Sequence, residues 1–388
     1  MRQFALTLAL GMLLVPSSVL GVKEYYGLSR SARSLGMGGA FYGLSDDESA
    51  LFYNPSSLSL YPGHVQFMVS TTGQLAQSAL DARSNLITAI QSGQIATIAD
   101  TLESFQGKPL YLSAGALPYF VARGFAVGIL VGDVKADIAL LGRGVDSTAD
   151  LTAISDTGPF LSIAGTLFNP NLHFGITLKG LYRAGGHKEF SPVDLLSGNN
   201  IDLESLGGAG LGIDTDVGMT YVFPSKGSRM AGLSLVLNNL VASDFPILKR
   251  GTPPKLVRTA SVGSFLQWRF SKMVNYVRFL LDLAEFGLGG ESDPDLGART
   301  GSFFKHVNLG VEVPIWNFLY LRTGVHQGNI TGGLGISIYA AKLDLATYAE
   351  EIANGVGRLT SRRWMVRFAL GFGAPSPSSV PGRSRGRK

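Results

Sequence analysis

Along most of this chain apolar residues fall at every second position, in runs of about ten, and small or polar residues fill the places between. In RRWMVRFALGF, Trp364, Val366, Phe368, Leu370 and Phe372 share one face, and Met365, Arg367, Ala369 and Gly371 the other. LHFGITLKG sets Leu172, Phe174, Ile176 and Leu178 against His173, Gly175, Thr177 and Lys179. GLGIDTDVGMTYVF opposes Leu211, Ile213, Val217, Met219, Tyr221 and Phe223 to Gly212, Asp214, Asp216, Gly218 and Thr220. In HVNLGVEV, Val307, Leu309, Val311 and Val313 oppose His306, Asn308, Gly310 and Glu312. A period of two is that of a β-strand with unlike faces. Charges on one face would be costly in lipid and are ordinary in a wet lumen, so the pattern predicts transmembrane strands with an apolar outside.

Marking such stretches gives about fourteen strands, an even number in the usual range for closed barrels. They are predicted at 61–73, 110–119, 124–140, 148–167, 172–184, 209–223, 231–239, 256–268, 275–285, 304–313, 318–326, 330–339, 341–349 and 363–372. The connections alternate in length. Phe120–Arg123, Phe168–Asn171, Pro224–Met230, Ser271–Val274, Pro314–Asn317 and Ala340–Ala341 are short, whereas 73–109, 185–208, 241–255, 287–301 and 350–362 are long. Short periplasmic turns and long outer loops are the build of an outer-membrane barrel. Within loop 73–109, Leu75, Ala79, Leu86, Ile90, Ile95, Ile98 and Leu102 recur at helical spacing, with Gly93 as a break. That apolar helical face suits either a cover for the barrel mouth or a landing site for a ligand.

Composition agrees. The chain has 50 glycines, 45% hydrophobic residues and 16% charged residues, with a mean hydropathy of +0.21. An ordinary soluble chain is about 25% charged. Yet beyond the N-terminus no run of about 20 apolar residues occurs, so no spanning helix is expected. An apolar, glycine-rich chain without such helices reaches a membrane as a closed β-barrel, because only closure satisfies every backbone group in lipid. Residues 1–21 read as a signal peptide: Arg2, an apolar run from Phe4 to Val15, then Val19-Leu20-Gly21 as a small-residue cleavage site. The exported chain then begins near Val22 and is expected in the outer membrane of a Gram-negative type cell. There is no cysteine, which removes disulfides, thiolate metal sites and a cysteine nucleophile. Residues 373–388, rich in proline and serine and ending in basic residues, read as a disordered cationic tail.

Between leader and first strand, SLGMGGAFYGLSDDESALFYNPSSLS has neither period. Its glycines do not form a nucleotide loop: Phe41 stands where a third glycine is needed, and no Lys-Ser/Thr follows. The segment instead resembles the N-terminal segment of the FadL/TodX superfamily of outer-membrane hydrophobic-compound transporters, whose FadL-like branch includes PorV and TraF-like proteins. LGIDTDVGMTYVF, GLSLVLNNL, HVNLGVEVPIWNFLYLRTGVHQGNITGGLGISI and RRWMVRFALGF resemble that branch's later strands, so the resemblance covers most of the exported chain. It implies that residues 22–60 form a hatch inside the barrel of residues 61–372, shaped by Gly36, Gly38, Gly39, Asp46, Asp47, Asn54 and Pro55. It also implies ligand capture from outside and sideways release into the membrane through a kinked third strand. The tail is a departure, since such barrels often end at the aromatic residue that is Phe372 here.

The third strand carries its own signal. Phe125, Val127, Ile129 and Val131 share one face, but Asp133, Lys135 and Asp137 inherit the same parity. Either a bulge at Gly132 turns Asp133 inward, making a candidate lateral gate, or the strand clears the membrane by Asp133, the reading favoured by strands that overrun the bilayer.

Other chemistry is sparse. His306 and Asn308 share a face, but spacing supplies no nucleophile, so no catalytic residue is assigned. Asp214 and Asp216 point the same way and either hold a hard cation or pair with lumen bases. Pairing is the usual fate of inward charges of both signs, so a lumen polar network of Lys179, Asp214, Asp216, Arg278, Glu312, Arg322 and Arg367 is expected, with no metal and no cofactor. The expected role is passive uptake of hydrophobic compounds, fatty acid-like or otherwise apolar, with membrane lipids and the barrel-assembly machinery as partners and no nucleic acid. The alternative is a PorV-like accessory that binds a secreted or periplasmic protein.

Overall fold

The computed structural model describes residues 27–28, 30–61, 65–81, 88, 108, 110–141, 148–190, 203–225, 227–270, 273–288, 303–316, 318–338, 340–352 and 360–372. The leader, most of loop 73–109 and the tail lie outside these residues. Among the described residues there are fifteen strands. They are β1 (Gln66–Ala76), β2 (Leu110–Ala122), β3 (Phe125–Leu141), β4 (Thr148–Thr166), β5 (Leu172–Phe190), β6 (Gly208–Val222), β7 (Arg229–Asn238), β8 (Ile247–Gly251), β9 (Thr259–Arg269), β10 (Tyr276–Gly287), β11 (Val307–Ile315), β12 (Leu319–His326), β13 (Asn329–Ile338), β14 (Ala341–Glu351) and β15 (Thr360–Phe372).

Setting β8 aside, each strand pairs antiparallel with the next, and β1 pairs with β15 from Phe67↔Phe372 to Ala76↔Arg363. This closes a fourteen-stranded up-and-down barrel, which leaves no free edge in lipid. The extra strand β8, which alternation did not predict, pairs with the loop-side end of β6, where Gly208 faces Gly251.

The wall is two-faced as the alternation requires. On β15, Trp364, Val366, Phe368 and Leu370 are 43–51% exposed, while Arg363, Met365, Arg367 and Ala369 are buried inside. Leu161, Ile163, Leu178, Ile213, Leu233 and Val262 continue the outer band around the barrel. Val366 lies midway along β15 and is 48% exposed. Val366→Arg is expected to destabilise the barrel by about 2–4 kcal/mol, the cost of a cation on the lipid face near the midplane. Urea unfolding in lipid vesicles measures it.

The wall is also uneven. β4 and β5 have 19 residues each, whereas β12 has 8 and β13 has 10. The barrel therefore rises high at β3–β5 and stays low at β11–β13.

Candidate functional site

Residues 31–61 lie inside the barrel, packed so closely on the wall that many are wholly buried. They begin with helix α1 (Ala32–Gly36). Gly38 follows with φ +70, and a Cβ there would stand 2.3 Å from the Leu309 carbonyl oxygen and 2.5 Å from that of Val325. Only glycine lets the two backbones meet this closely. Thr331 Oγ1 donates to the Gly36 carbonyl, and the Gly39 backbone rests on the His326 ring. Next, the Asp282 carboxylate of β10 accepts from three successive amides, Phe41 (2.5 Å), Tyr42 (2.6 Å) and Gly43 (3.2 Å).

Asn54 caps the 3-10 turn Pro55–Leu60: its Oδ1 accepts from the Ser56 amide, and proline occupies the first turn, where an amide hydrogen would lack a partner. Its Nδ2 donates to the Tyr42 carbonyl (2.8 Å) and Thr220 Oγ1 (3.1 Å), locking the bend to β6. The chain then runs past Leu58, whose carbonyl accepts from Gly124 in the β2–β3 turn, and into β1.

Ion pairs fill the lumen on the β10–β15 side, near the short-turn ends of the strands. Arg33 grips Glu312 through Nε (2.7 Å) and an Nη (2.6 Å), and also reaches Asp46 and Asp47 (each 2.9 Å). Arg278 holds both Asp46 oxygens (3.0 and 2.5 Å). Arg322 bridges Glu312 (2.9 Å) and Asp344 (2.6 Å). Arg367 joins Asp344 (3.2 Å) to Glu48. Four arginines thus interleave with five carboxylates, every one buried or nearly so, and Asp46, Asp47 and Glu48 all come from the inner segment. Burial alone would raise the Asp46 carboxyl, but Arg278 and Arg33 outweigh it and hold it below its ordinary range. Burial and the Glu48 carboxylate push Asp47 up.

The opposite side carries an apolar cluster among a few separate ion pairs, of which Arg183 holds both Asp156 oxygens (2.7 and 2.9 Å) and stacks on the Phe245 ring. A single buried cluster runs from Phe245 and Leu256, in the loop between β7 and β9, through Leu181, Phe160, Leu130 and Leu117 to Leu51, Leu58 and Tyr61. Leu28 and Phe52 pack against it, and the Phe52 and Phe160 rings meet edge to face at 4.9 Å. A cavity of about 20 Å³ lies between this cluster and the ion pairs, lined by Phe52, Leu117 and Leu130 on one side and Glu48 and Arg367 on the other, and a second of about 50 Å³ lies across Phe52.

The wall behind this cluster is broken. Pairing of β3 with β4 shifts between Leu130 and Asp133, and pairing of β2 with β3 shifts between Ala114 and Ala116. Gly132, with φ +55, is the extra residue, a β-bulge. It reverses the parity of β3, so Val131 is 46% exposed while Asp133 is 2% exposed and pairs with Lys135 at 2.7 Å. A strand that merely cleared the membrane would need no bulge; this strand has one, and it turns Asp133 and Lys135 to the lumen. Next to the bulge, Gly158 and Pro159 leave a gap in the pairing of β4 with β5.

The fold has known likenesses. No family model and no curated protein matches the chain. Among solved structures it is similar to the deltaS2S3 mutant of the TodX monoaromatic hydrocarbon channel, at 14% identity and TM-score 0.49, over 90% of this chain and 99% of that one. The Pseudomonas putida toluene transporter TodX matches at 13% identity and TM-score 0.43, over 90% and 98% of the two chains. The Ralstonia pickettii toluene transporter TbuX matches at 10% identity and TM-score 0.44, over 91% and 100%. At such identities and scores the likeness says nothing of what this chain binds.

The polar residues singled out by parity face the lumen but do not form one network. Arg278, Glu312, Arg322 and Arg367 come together as described. Lys179 and Asp216 pair apart from them at 2.6 Å. Among the described residues no lumen base holds Asp214: its carboxylate accepts from the amides of Thr215, Val241 and Ser243 and so shapes the loop after β7. His306 bonds the Ala284 carbonyl and stacks on Phe286, while Asn308 faces His326 on β12 instead. Sequence reasoning missed Asp282 and Asp344, although both stand at inward parity in predicted strands. It also missed Arg33, for which a segment without period offered no signal.

Proposed function

We propose that the chain is an outer-membrane channel for passive entry of hydrophobic small molecules, long-chain fatty acid-like or otherwise apolar. The inner segment acts as its hatch, and the bulge at Gly132 and Asp133 as its sideways exit into the membrane. The observation that supports this most directly is the continuous apolar cluster leading from the outer loop to a wall whose ladder is interrupted. An apolar molecule passing there exchanges contacts with Phe245, Phe160, Phe52 and Leu130, and the Arg183 charge it passes is already held by Asp156. The signal peptide would export the chain, the barrel-assembly machinery would insert it, and no reaction is catalysed. The lumen's other half, filled with ion pairs, is what supports the second reading, an accessory protein that docks an exported partner at the mouth.

Two measurements separate these. Organic extraction of the purified protein followed by mass spectrometry should recover apolar molecules from the full chain, and fewer from a variant lacking residues 31–59. If neither form carries or takes up an apolar compound, passage is the wrong function and the docking reading gains. The exit is tested by deleting Gly132, which restores the two-residue period of β3 without turning any neighbouring side chain over. Uptake of a radiolabelled alkane should fall at least tenfold while lumen binding is kept; unchanged uptake would place the exit elsewhere.

A further inference from the structure

The cavity of about 50 Å³ beside Phe52 has two unlike walls. Leu28 and Phe52 make the apolar one, and residues of β5–β10, with Arg30, Tyr42 and Tyr53 of the inner segment, supply the polar one. Glu285 reaches this cavity only because β10 is irregular. Parity on β10 puts Arg278, Leu280, Asp282 and Ala284 inside, so residue 285 should face lipid. Pairing with β9 shifts between Leu283 and Phe286, and Glu285 takes φ +59, which carries its side chain to the cavity. Its amide donates to Ser261 Oγ (2.9 Å), and its Oε1 accepts from the Tyr42 hydroxyl (3.1 Å). A bulged strand with a charged residue at positive φ is a costly arrangement, of the kind retained at functional positions.

Asn238, 6% exposed, lines the same cavity. Its Nδ2 donates to the Phe52 carbonyl (3.5 Å), which orients the amide, and its Oδ1 has no hydrogen-bond partner among the described residues. A buried acceptor left so is uncommon and calls for a donor. The cations nearby are already engaged: Lys179 donates to Asp216 (2.6 Å) and Asn239 Oδ1 (2.5 Å), and Arg30 pairs with Glu350. What the cavity offers a newcomer is therefore acceptors beside an apolar wall.

Resting on the passage function above, we propose that this cavity is the head-group site for the cargo, and that it selects apolar molecules whose polar end donates hydrogen bonds, such as long-chain alcohols, over carboxylates. A hydroxyl would donate to Asn238 Oδ1 with its chain along Phe52 and Leu28. A carboxylate would meet that unpartnered acceptor and the Glu285 and Asp216 charges, and would have to compete with Glu350 and Asp216 for Arg30 and Lys179.

The test uses the full chain in lipid nanodiscs at pH 8, with radiolabelled 1-dodecanol, dodecanoate and dodecane, and empty nanodiscs subtracted. Dodecanol should bind at least tenfold more tightly than dodecanoate. Asn238→Leu should weaken dodecanol about tenfold, the worth of one buried hydrogen bond, and leave dodecane unchanged. Should that variant fail to give the heat-shifted gel band of a folded barrel, Glu285→Gln replaces it, and the alcohol-to-carboxylate ratio should narrow at least threefold. Equal or tighter dodecanoate binding, or a preference that survives both substitutions, overturns the head-group site while dodecane binding keeps the passage function. If none of the three binds, the passage function fails and the head-group site with it.

Discussion

Gly38→Val is expected to unseat the inner segment and leave an open, ion-conducting pore. Residue 38 has φ +70, a conformation costing an L-residue roughly 1–2 kcal/mol and more when its Cβ is branched. The larger penalty is steric. The new Cβ would lie 2.3 Å and 2.5 Å from the carbonyl oxygens of Leu309 and Val325, both backbone atoms of β11 and β12, and a paired ladder cannot withdraw as a flexible side chain can. Residue 38 takes no part in the barrel's own pairing, so the fourteen strands should still close. Planar-bilayer recording should show steady conductance for the variant and none for the parent chain. Gly73→Val is the control, because nothing stands within 4 Å of a Cβ there. A closed Gly38→Val barrel of parental stability would mean that the fit of residues 36–39 against β11–β13 does not hold the segment in place.

The second large effect belongs to Glu312, the hub of the ion pairs. It accepts from Arg33 twice, from Arg322 and from the Tyr276 hydroxyl (2.7 Å), and it is 0% exposed. Glu312→Ala strands Arg33 and Arg322 with too few acceptors in a dry interior, and breaking a buried pair from one side costs about 3–5 kcal/mol. Guanidinium unfolding in vesicles should show that loss, and Glu312→Gln, which keeps an acceptor oxygen, should lose less. Asp244→Ala is the comparison. Asp244 meets Lys249 at 3.4 Å with half its side chain exposed, and its loss should stay within about 1 kcal/mol. If Glu312→Ala unfolds like the parent, the network is not what fastens the inner segment to the wall.

Most strand boundaries were legible to within about four residues because each strand sees two different solvents and the pattern flips at every step; β1 begins five residues later than expected and β5 runs six residues further. Strand β8 was not, since it lies at the loop end of β6, where all five residues are exposed and no second environment imposes alternation. The two bulges show both outcomes. At Gly132 the parity of Asp133 and Lys135 raised the question, and the backbone answered it. At Glu285 the same sign was present, one charge at an outward place, but the predicted strand ended there and the charge drew no notice. The inner segment was the hardest part. Its fold follows from the wall, as when Asp282 gathers three of its amides, and no local period encodes such a partner.

The sequence by itself determined the closed barrel, its fourteen wall strands and, away from the bulges at Gly132 and Glu285, which face of each meets lipid, because alternation is a local property enforced by the bilayer. The tertiary structure alone decided how the lumen is divided: the linked network of ion pairs toward β10–β15, an apolar cluster with the separate Arg183–Asp156 pair toward β2–β5, and between them a segment wedged backbone to backbone. Those arrangements join residues as distant in the chain as Arg33 and Glu312, or Phe52 and Phe160, and depend on curvature and on two bulges that set which side chains meet inside. Parity says that a residue points inward; only closure of the wall says what it finds there.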